Sequence, residues 1–172
     1  EAEAHATELC RRLSQHLNCR LTLLPAPGIV DREGVKEVFL SDSHVQHAFT
    51  LFSQLSVALV GIGSPAPDSV LMRDSSILNP AELQNLMTKG AVGDIALRFF
   101  DAYGQPIPSD IDNRVIGITL EQLARVERVV GAAGGPQKVE VLRGALRGSL
   151  INVLITDHLT ARRLLDDNHS RA

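Results

Sequence analysis

Apolar residues along the chain fall into two alternating patterns, one with helical spacing and one in short continuous runs. Glu1 to Leu17 sets Leu9, Leu13 and Leu17 four apart with Cys10 beside them, which predicts a helix. Arg20 to Leu24 predicts a short strand, ended by Pro25-Ala26-Pro27-Gly28, a run that continues neither ladder nor helix. Ser41 or Asp42 is a cap for a helix reaching Gln54, with Val45, Ala48, Phe49 and Phe52 as its stripe. Ser56 to Ile62 is a strand without polar alternation, as in a parallel strand buried on both faces.

The second half repeats the alternation. Asn79-Pro80 opens a helix to about Thr88, stopped at Gly90. Gly93-Asp94 leads into a strand from Ile95 to Phe100, interrupted by Arg98, and Arg114 to Ile118 predicts another. Thr119-Leu120-Glu121-Gln122 is a capping box for a short helix. Arg128 to Ala133 is a strand, Pro136 to Arg147 a helix, Leu150 to Ile155 a final buried strand and Leu159 to Leu165 a final helix.

Strands alternating with helices predict an α/β fold, Rossmann-like, with a mostly parallel sheet flanked by helices. Ligands of such sheets sit beyond the carboxyl ends of the strands. The turns there carry Gly61 to Ser64, Gly134 to Lys138 and Thr156-Asp157. Gly61-Ile62-Gly63 is not a dinucleotide fingerprint, because the third glycine is missing and Pro65 and Pro67 break the helix that should follow. Ala133-Gly134-Gly135-Pro136-Gln137-Lys138 reads either as an anion cradle, with glycine backbone, a helix start and a cation together, or as a plain strand-to-helix connection. Asp94 precedes its strand, so only an antiparallel strand or a second layer brings it to the same edge.

Composition narrows the classes. The 172 residues, 44% of them hydrophobic, suit one domain with its own core. Aromatic residues are 3% with no Trp, which argues against a stacking platform for single-stranded nucleic acid. Net charge is −3 with no long basic run, so direct nucleic-acid binding is not indicated. Cys10 and Cys19 lack zinc spacing or a disulfide framework, and no metal or cofactor is expected. No apolar run reaches transmembrane length and no signal sequence opens the chain, so a cytoplasmic protein with no membrane partner is expected.

Six blocks in order carry a family resemblance: Gly90-Ala91-Val92-Gly93-Asp94-Ile95, Arg98 to Gly104, Asn113 to Ile118, Ala133 to Lys138, Asn152 to Asp157 and, upstream, Val57 to Ser64, with Leu24-Pro25-Ala26-Pro27 before them. Together they resemble the sugar-binding domain of SorC-type bacterial transcriptional regulators over nearly the whole chain. The resemblance implies a fold related to sugar-phosphate isomerases and deaminases. It also implies an effector-binding and oligomerisation domain, a dimer or tetramer, that senses a phosphorylated sugar and reaches DNA only through an N-terminal helix-turn-helix. On that reading residues 1–172 are a partial domain. The helix-turn-helix and a first strand with its phosphate loop would precede Glu1, consistent with a chain that opens mid-helix.

By the same resemblance Lys138 stands where similar regulators place a phosphate-contacting lysine, and Asp94 where they place a carboxylate for sugar hydroxyls. Their chemistry suits those roles, a compact cation for phosphate and a multiple acceptor for a polyol. Gly134 and Gly135 would lend backbone N–H groups, with Gly61 and Gly63 at the neighbouring strand end. Asp157 either orients Lys138 or caps the last helix, and His158 stands where relatives have Glu. His5 lies near a polar contact of relatives or is simply exposed. Asp42, His44 and His47 are a solvated helix start rather than a metal site. Ser64 lacks the surroundings of a nucleophile, and Arg98 and Arg114 serve as anion contacts, oligomer contacts or surface ion pairs.

A non-catalytic sensor is therefore expected. The competing readings are a sugar-phosphate isomerase or deaminase, for which no second catalytic group beside Asp94 is evident, and a self-association fragment with an incomplete site.

Overall fold

A computed structural model describes residues 2–65 and 78–166, with the side chains of residues 2–5 excepted. It divides into two units, Glu1–Gln54 with Asn113–Gly117, and Leu55–Asp112 with Ile118–Ala172.

The first unit is helical. Helix α1 (Ala2–Leu17) carries the predicted stripe, with Leu9, Leu13 and Leu17 exposed. Residues 20–24 form no strand, contrary to expectation. A five-residue apolar run is a strand only if a neighbouring backbone offers a ladder, and here the run has none. Helix α2 (Glu33–Ser41) was not anticipated, and helix α3 (Ser43–Thr50) follows it. Asp42 caps α3, its Oδ1 accepting from the N–H groups of His44 and Val45. The predicted continuation to Gln54 is a 3₁₀ turn. The predicted strand at Arg114–Ile118 reduces to one bridge, Val115 opposite Ile29.

The second unit holds an α/β sheet. Strands β1 (Val57–Gly61), then, along the chain, the hairpin β2 (Gly93–Ile95) and β3 (Arg98–Phe100), then β4 (Arg128–Ala132) and β5 (Val153–Ile155) make up its strands. The order β1-β4-β5 is parallel throughout, while β2 and β3 pair antiparallel. What read as one strand from Ile95 to Phe100 is thus a turn and a strand. Ala96 and Leu97 take φ values of 52° and 63°, the left-handed conformation that a tight hairpin demands.

Helix α4 (Pro80–Thr88) begins as predicted, with Asn79 and Glu82 closing a capping box ahead of Pro80. Helix α5 (Leu120–Leu123) has the Thr119–Gln122 box. The predicted helix at Pro136–Arg147 is a 3₁₀ turn, Pro136–Lys138, followed by helix α6 (Val139–Arg147), and helix α7 (His158–Asp166) is last.

Register decides the core. Ala58, Val60, Val129, Gly131 and Leu154 alternate onto one face of the sheet and meet Val141, Leu142 and Ala145 of α6, Leu120 and Leu123 of α5, and the hairpin residues Ile95 and Phe100. Burying that many Val, Leu and Ile side chains, each contributing about 1.5–3 kcal/mol, organises the unit without Trp.

Candidate functional site

The carboxyl ends of β1, β4 and β5 meet at one edge of the parallel sheet. The turns leaving them are residues 62–65, Ala133–Lys138 and Thr156–Asp157. Asp94 joins this edge through backbone pairing. Gly63 N–H donates to Asp94 O at 2.9 Å and Asp94 N–H to Gly63 O at 3.2 Å, an antiparallel bridge between the end of β1 and strand β2. An antiparallel strand is thus what brings the carboxylate of β2 beside a parallel strand end.

The Asp94 side chain is 6% exposed. Its Oδ2 accepts from Leu97 N–H at 3.2 Å, whereas Oδ1 is buried with no hydrogen-bond partner among the described residues. Burial raises its pKa to about 6, against the opposing pull of the Leu97 N–H and the Lys138 charge. A carboxylate with a free acceptor and little solvent is poised to take a hydroxyl donor.

Lys138 supplies the complementary charge. Its Nζ donates to Ile62 O at 2.8 Å and lies 3.5 Å from Ser64 Oγ, so the ammonium spans the gap from the β4 turn to the end of β1. Partial burial lowers its pKa and the Asp94 carboxylate raises it. Asp94, paired with Gly63, and Lys138, bonded to Ile62 and beside Ser64, therefore converge on one short segment, residues 62–64.

The glycine turn is tied to the neighbouring strand end. Gly135, at φ 101°, directs its N–H to Asp157 Oδ2 at 2.8 Å and Thr160 Oγ1 at 2.9 Å. A Cβ on Gly134 would come within 2.6 Å of the same Asp157 oxygen. Asp157 also accepts from Thr160 N–H at 2.9 Å and from the Thr160 hydroxyl at 2.7 Å, which makes it the cap of α7. Hydrogen bonds from the Thr160 hydroxyl, the Thr160 N–H and the Gly135 N–H hold its carboxyl far below the usual range. In this arrangement Asp157 orients the glycine turn rather than Lys138, and the Gly135 N–H is directed into the protein.

Two features escaped the sequence reading. Thr160, 1% exposed, completes the Asp157 network; an Asp followed three residues later by Thr at a helix start was the available signal. Arg98 is not a surface ion-pair residue but a buried one, its Nη1 donating to Asp112 Oδ1 at 2.8 Å and to Asp112 O at 3.3 Å. It lines, with Phe99, Ile107, Asp112, Leu120 and Glu121, a cleft of about 340 Å³ that shares no lining residue with the strand-end turns. His44 and His47 are exposed, and no group of three metal-ligating side chains occurs among the described residues. The His5 side chain and Pro67 lie outside the described residues. No described helix is long and apolar enough to cross a membrane.

Known proteins resemble this chain over most of its length. The family model described as "Putative sugar-binding domain" matches residues 1–166. The deoxyribonucleoside regulator of Bacillus subtilis is 40% identical over 84% of the chain and 45% of its own length. The full-length sorbitol operon regulator SorC of Klebsiella pneumoniae superposes with a TM-score of 0.81 at 27% identity, over 88% of this chain and 48% of that one. A Vibrio fischeri repressor domain, described in the same words as the family model, gives 0.84 at 29% identity, over 94% of this chain and 64% of that one. The chain thus spans about half the length of the curated relatives it matches. With a parallel strand-end edge, the family model over nearly all its residues and SorC-type domains as structural neighbours, the chain belongs to the sugar-binding domain family of SorC-type transcriptional regulators.

Proposed function

We propose that this chain is the effector-binding part of a transcriptional regulator that senses a phosphorylated sugar, and that binding alters DNA affinity through a module outside residues 1–172. The convergence of Lys138 and Asp94 on residues 62–64 carries the reading, since it sets a cation for a phosphate beside a buried acceptor for hydroxyls. Gly61, Gly63, Gly134 and Gly135 keep side chains away from that edge, and Asp157 holds the glycine turn in place. Family membership supports a sugar as ligand. The names of the relatives, transcriptional regulators all, support a sensor over an enzyme. The effector would act by binding one arrangement of a homo-oligomer more tightly than another.

An enzyme of the isomerase or deaminase kind is the second reading, favoured by one observation: an acid with a pKa of about 6 beside a lysine could serve as a general base. Thermal shift against a panel of sugar phosphates separates the two. Stabilisation by one of them that Lys138→Ala abolishes, without conversion of the sugar phosphate, supports the sensor; turnover lost in Asp94→Asn supports the enzyme and overturns the proposal. A response seen only with residues preceding Glu1 present would show that the rest of the phosphate cradle lies there.

A further inference from the structure

Ser64 lies where strand β2 and the Lys138 side chain meet the end of β1. Its neighbour Gly63 is fixed by both backbone bonds to Asp94, and Pro65 on its other side is buried. The Ser64 side chain is thereby held toward Lys138, with Oγ 3.5 Å from Nζ. That separation exceeds the roughly 2.7–2.9 Å of a charge-assisted hydrogen bond. It is also less than twice that length, so a single acceptor oxygen fits at bonding distance from both atoms at once. Ser64 and Lys138 are each half-buried, open enough for a ligand to reach.

The glycine turn leaves a need for such a donor. An anion at a strand-end turn ordinarily draws on backbone N–H groups, but several of this turn's are engaged within the protein. Ala133 N–H donates to Ile155 O, Gly135 N–H to Asp157 and Thr160, and Lys138 N–H to Gly135 O, while Pro136 has none. The Lys138 ammonium already gives one of its three protons to Ile62 O. A phosphate monoester carries three strong acceptor oxygens, more than the remaining ammonium protons satisfy. The Ser64 hydroxyl has no closer partner among the described residues. An oxygen without a proton of its own suits the position, because both groups facing it are donors.

The geometry points to Ser64 as a specificity-determining ligand contact: its hydroxyl and the Lys138 ammonium hold one phosphate oxygen of the effector between them. This rests on the sugar-phosphate reading above and adds to it the residue that reads the phosphate from the β1 side.

The test uses the longer regulator polypeptide that contains these residues. A panel of pentose and hexose phosphates, ribose 5-phosphate, deoxyribose 5-phosphate, glucose 6-phosphate and fructose 6-phosphate among them, is screened by thermal shift. The dissociation constant of the strongest is then measured by calorimetry in wild type, Ser64→Ala and Lys138→Ala. Ser64→Ala should weaken binding at least about tenfold, the scale of one hydrogen bond to a charged group, with the unliganded thermal midpoint unchanged. The phosphorus NMR resonance of the bound ligand should also move in this variant. Binding that Lys138→Ala abolishes and Ser64→Ala leaves intact overturns the shared contact while the sensor reading stands. Weakened binding with an unmoved phosphorus resonance overturns it too, because Ser64 would then only orient Lys138. A wild type that responds to no member of the panel removes the sugar-phosphate reading itself, and the contact with it.

Discussion

The Asp94 carboxyl occupies the space that a side chain at residue 63 would need. A Cβ built on Gly63 lies 1.9 Å from Asp94 Oδ1 and 2.8 Å from its Cγ, so any larger residue there forces the buried Asp94 carboxyl to move. Gly63→Ala should cost roughly 1–3 kcal/mol, the scale for forcing an extra methyl into a packed site. Urea unfolding checks this, and wild-type stability in the variant would show that Asp94 swings aside freely.

The raised pKa of Asp94 makes stability depend on pH with a definite sign. Folding favours its neutral form, so the native state binds the extra proton between the ordinary carboxylate value of 3.8 and about 6. The associated stability is fully present below about 4 and is lost as pH rises through 6. The swing is on the order of 2–3 kcal/mol for a group this buried. Unfolding free energies of wild type and Asp94→Asn, compared at the two ends of that window, should diverge by this amount; parallel curves would rule it out. Lys138→Ala should move the transition upward, since its charge pulls the pKa down.

The hairpin turn stores backbone strain. Ala96 and Leu97 both have positive φ without being glycine or asparagine, and Asp94 Oδ2 steadies the turn through the Leu97 N–H. Exposed Ala96 is the cleaner place to release it. Ala96→Gly should stabilise the protein by about 0.5–1 kcal/mol, the left-handed penalty less the entropy of a freer unfolded chain. A lowered thermal midpoint would contradict this.

Thr160→Val removes a buried hydroxyl that both donates to Asp157 and accepts from Gly135. A loss of about 1–3 kcal/mol is expected, the usual cost of leaving buried partners unpaired. The Asp157 pKa should rise toward the ordinary range, because its leading hydrogen bond is gone. NMR titration of the Asp157 carboxyl reads this directly, and an unmoved value would show that the backbone N–H groups suffice.

What could be read from the sequence was what short stretches decide for themselves. The cap at Asn79 and the box at Thr119–Gln122 depend on residues three apart and are found as expected, and of the two caps offered at Ser41 and Asp42 it is Asp42 that serves. The continuous runs at 57–61 and 128–132 are parallel neighbours. Where a residue's place depended on a distant partner, the sequence was silent or misleading. Residues 20–24 had strand composition but no ladder to join. Helix α2 was not anticipated, although Val35, Val38 and Phe39 have helical spacing. Arg98 looked like a surface residue until Asp112, fourteen positions on, proved to pair with it under cover. The edge where the strands end was predictable from topology; that Asp94 reaches it could be stated only as a condition, the antiparallel pairing with Gly63.

That β1 pairs with β4 alone among the described strands, Val57 opposite Arg128, also has a consequence for synthesis. A ribosome adding roughly 5–20 residues per second leaves the Val57–Gly61 segment without its ladder for roughly 4–14 s. During that interval an aliphatic, uncharged strand has neither its hydrogen-bonding neighbour nor its core. The nascent chain is then open to chaperone capture or to pairing with another copy, and the emergence of Arg128–Ala132 ends that exposure.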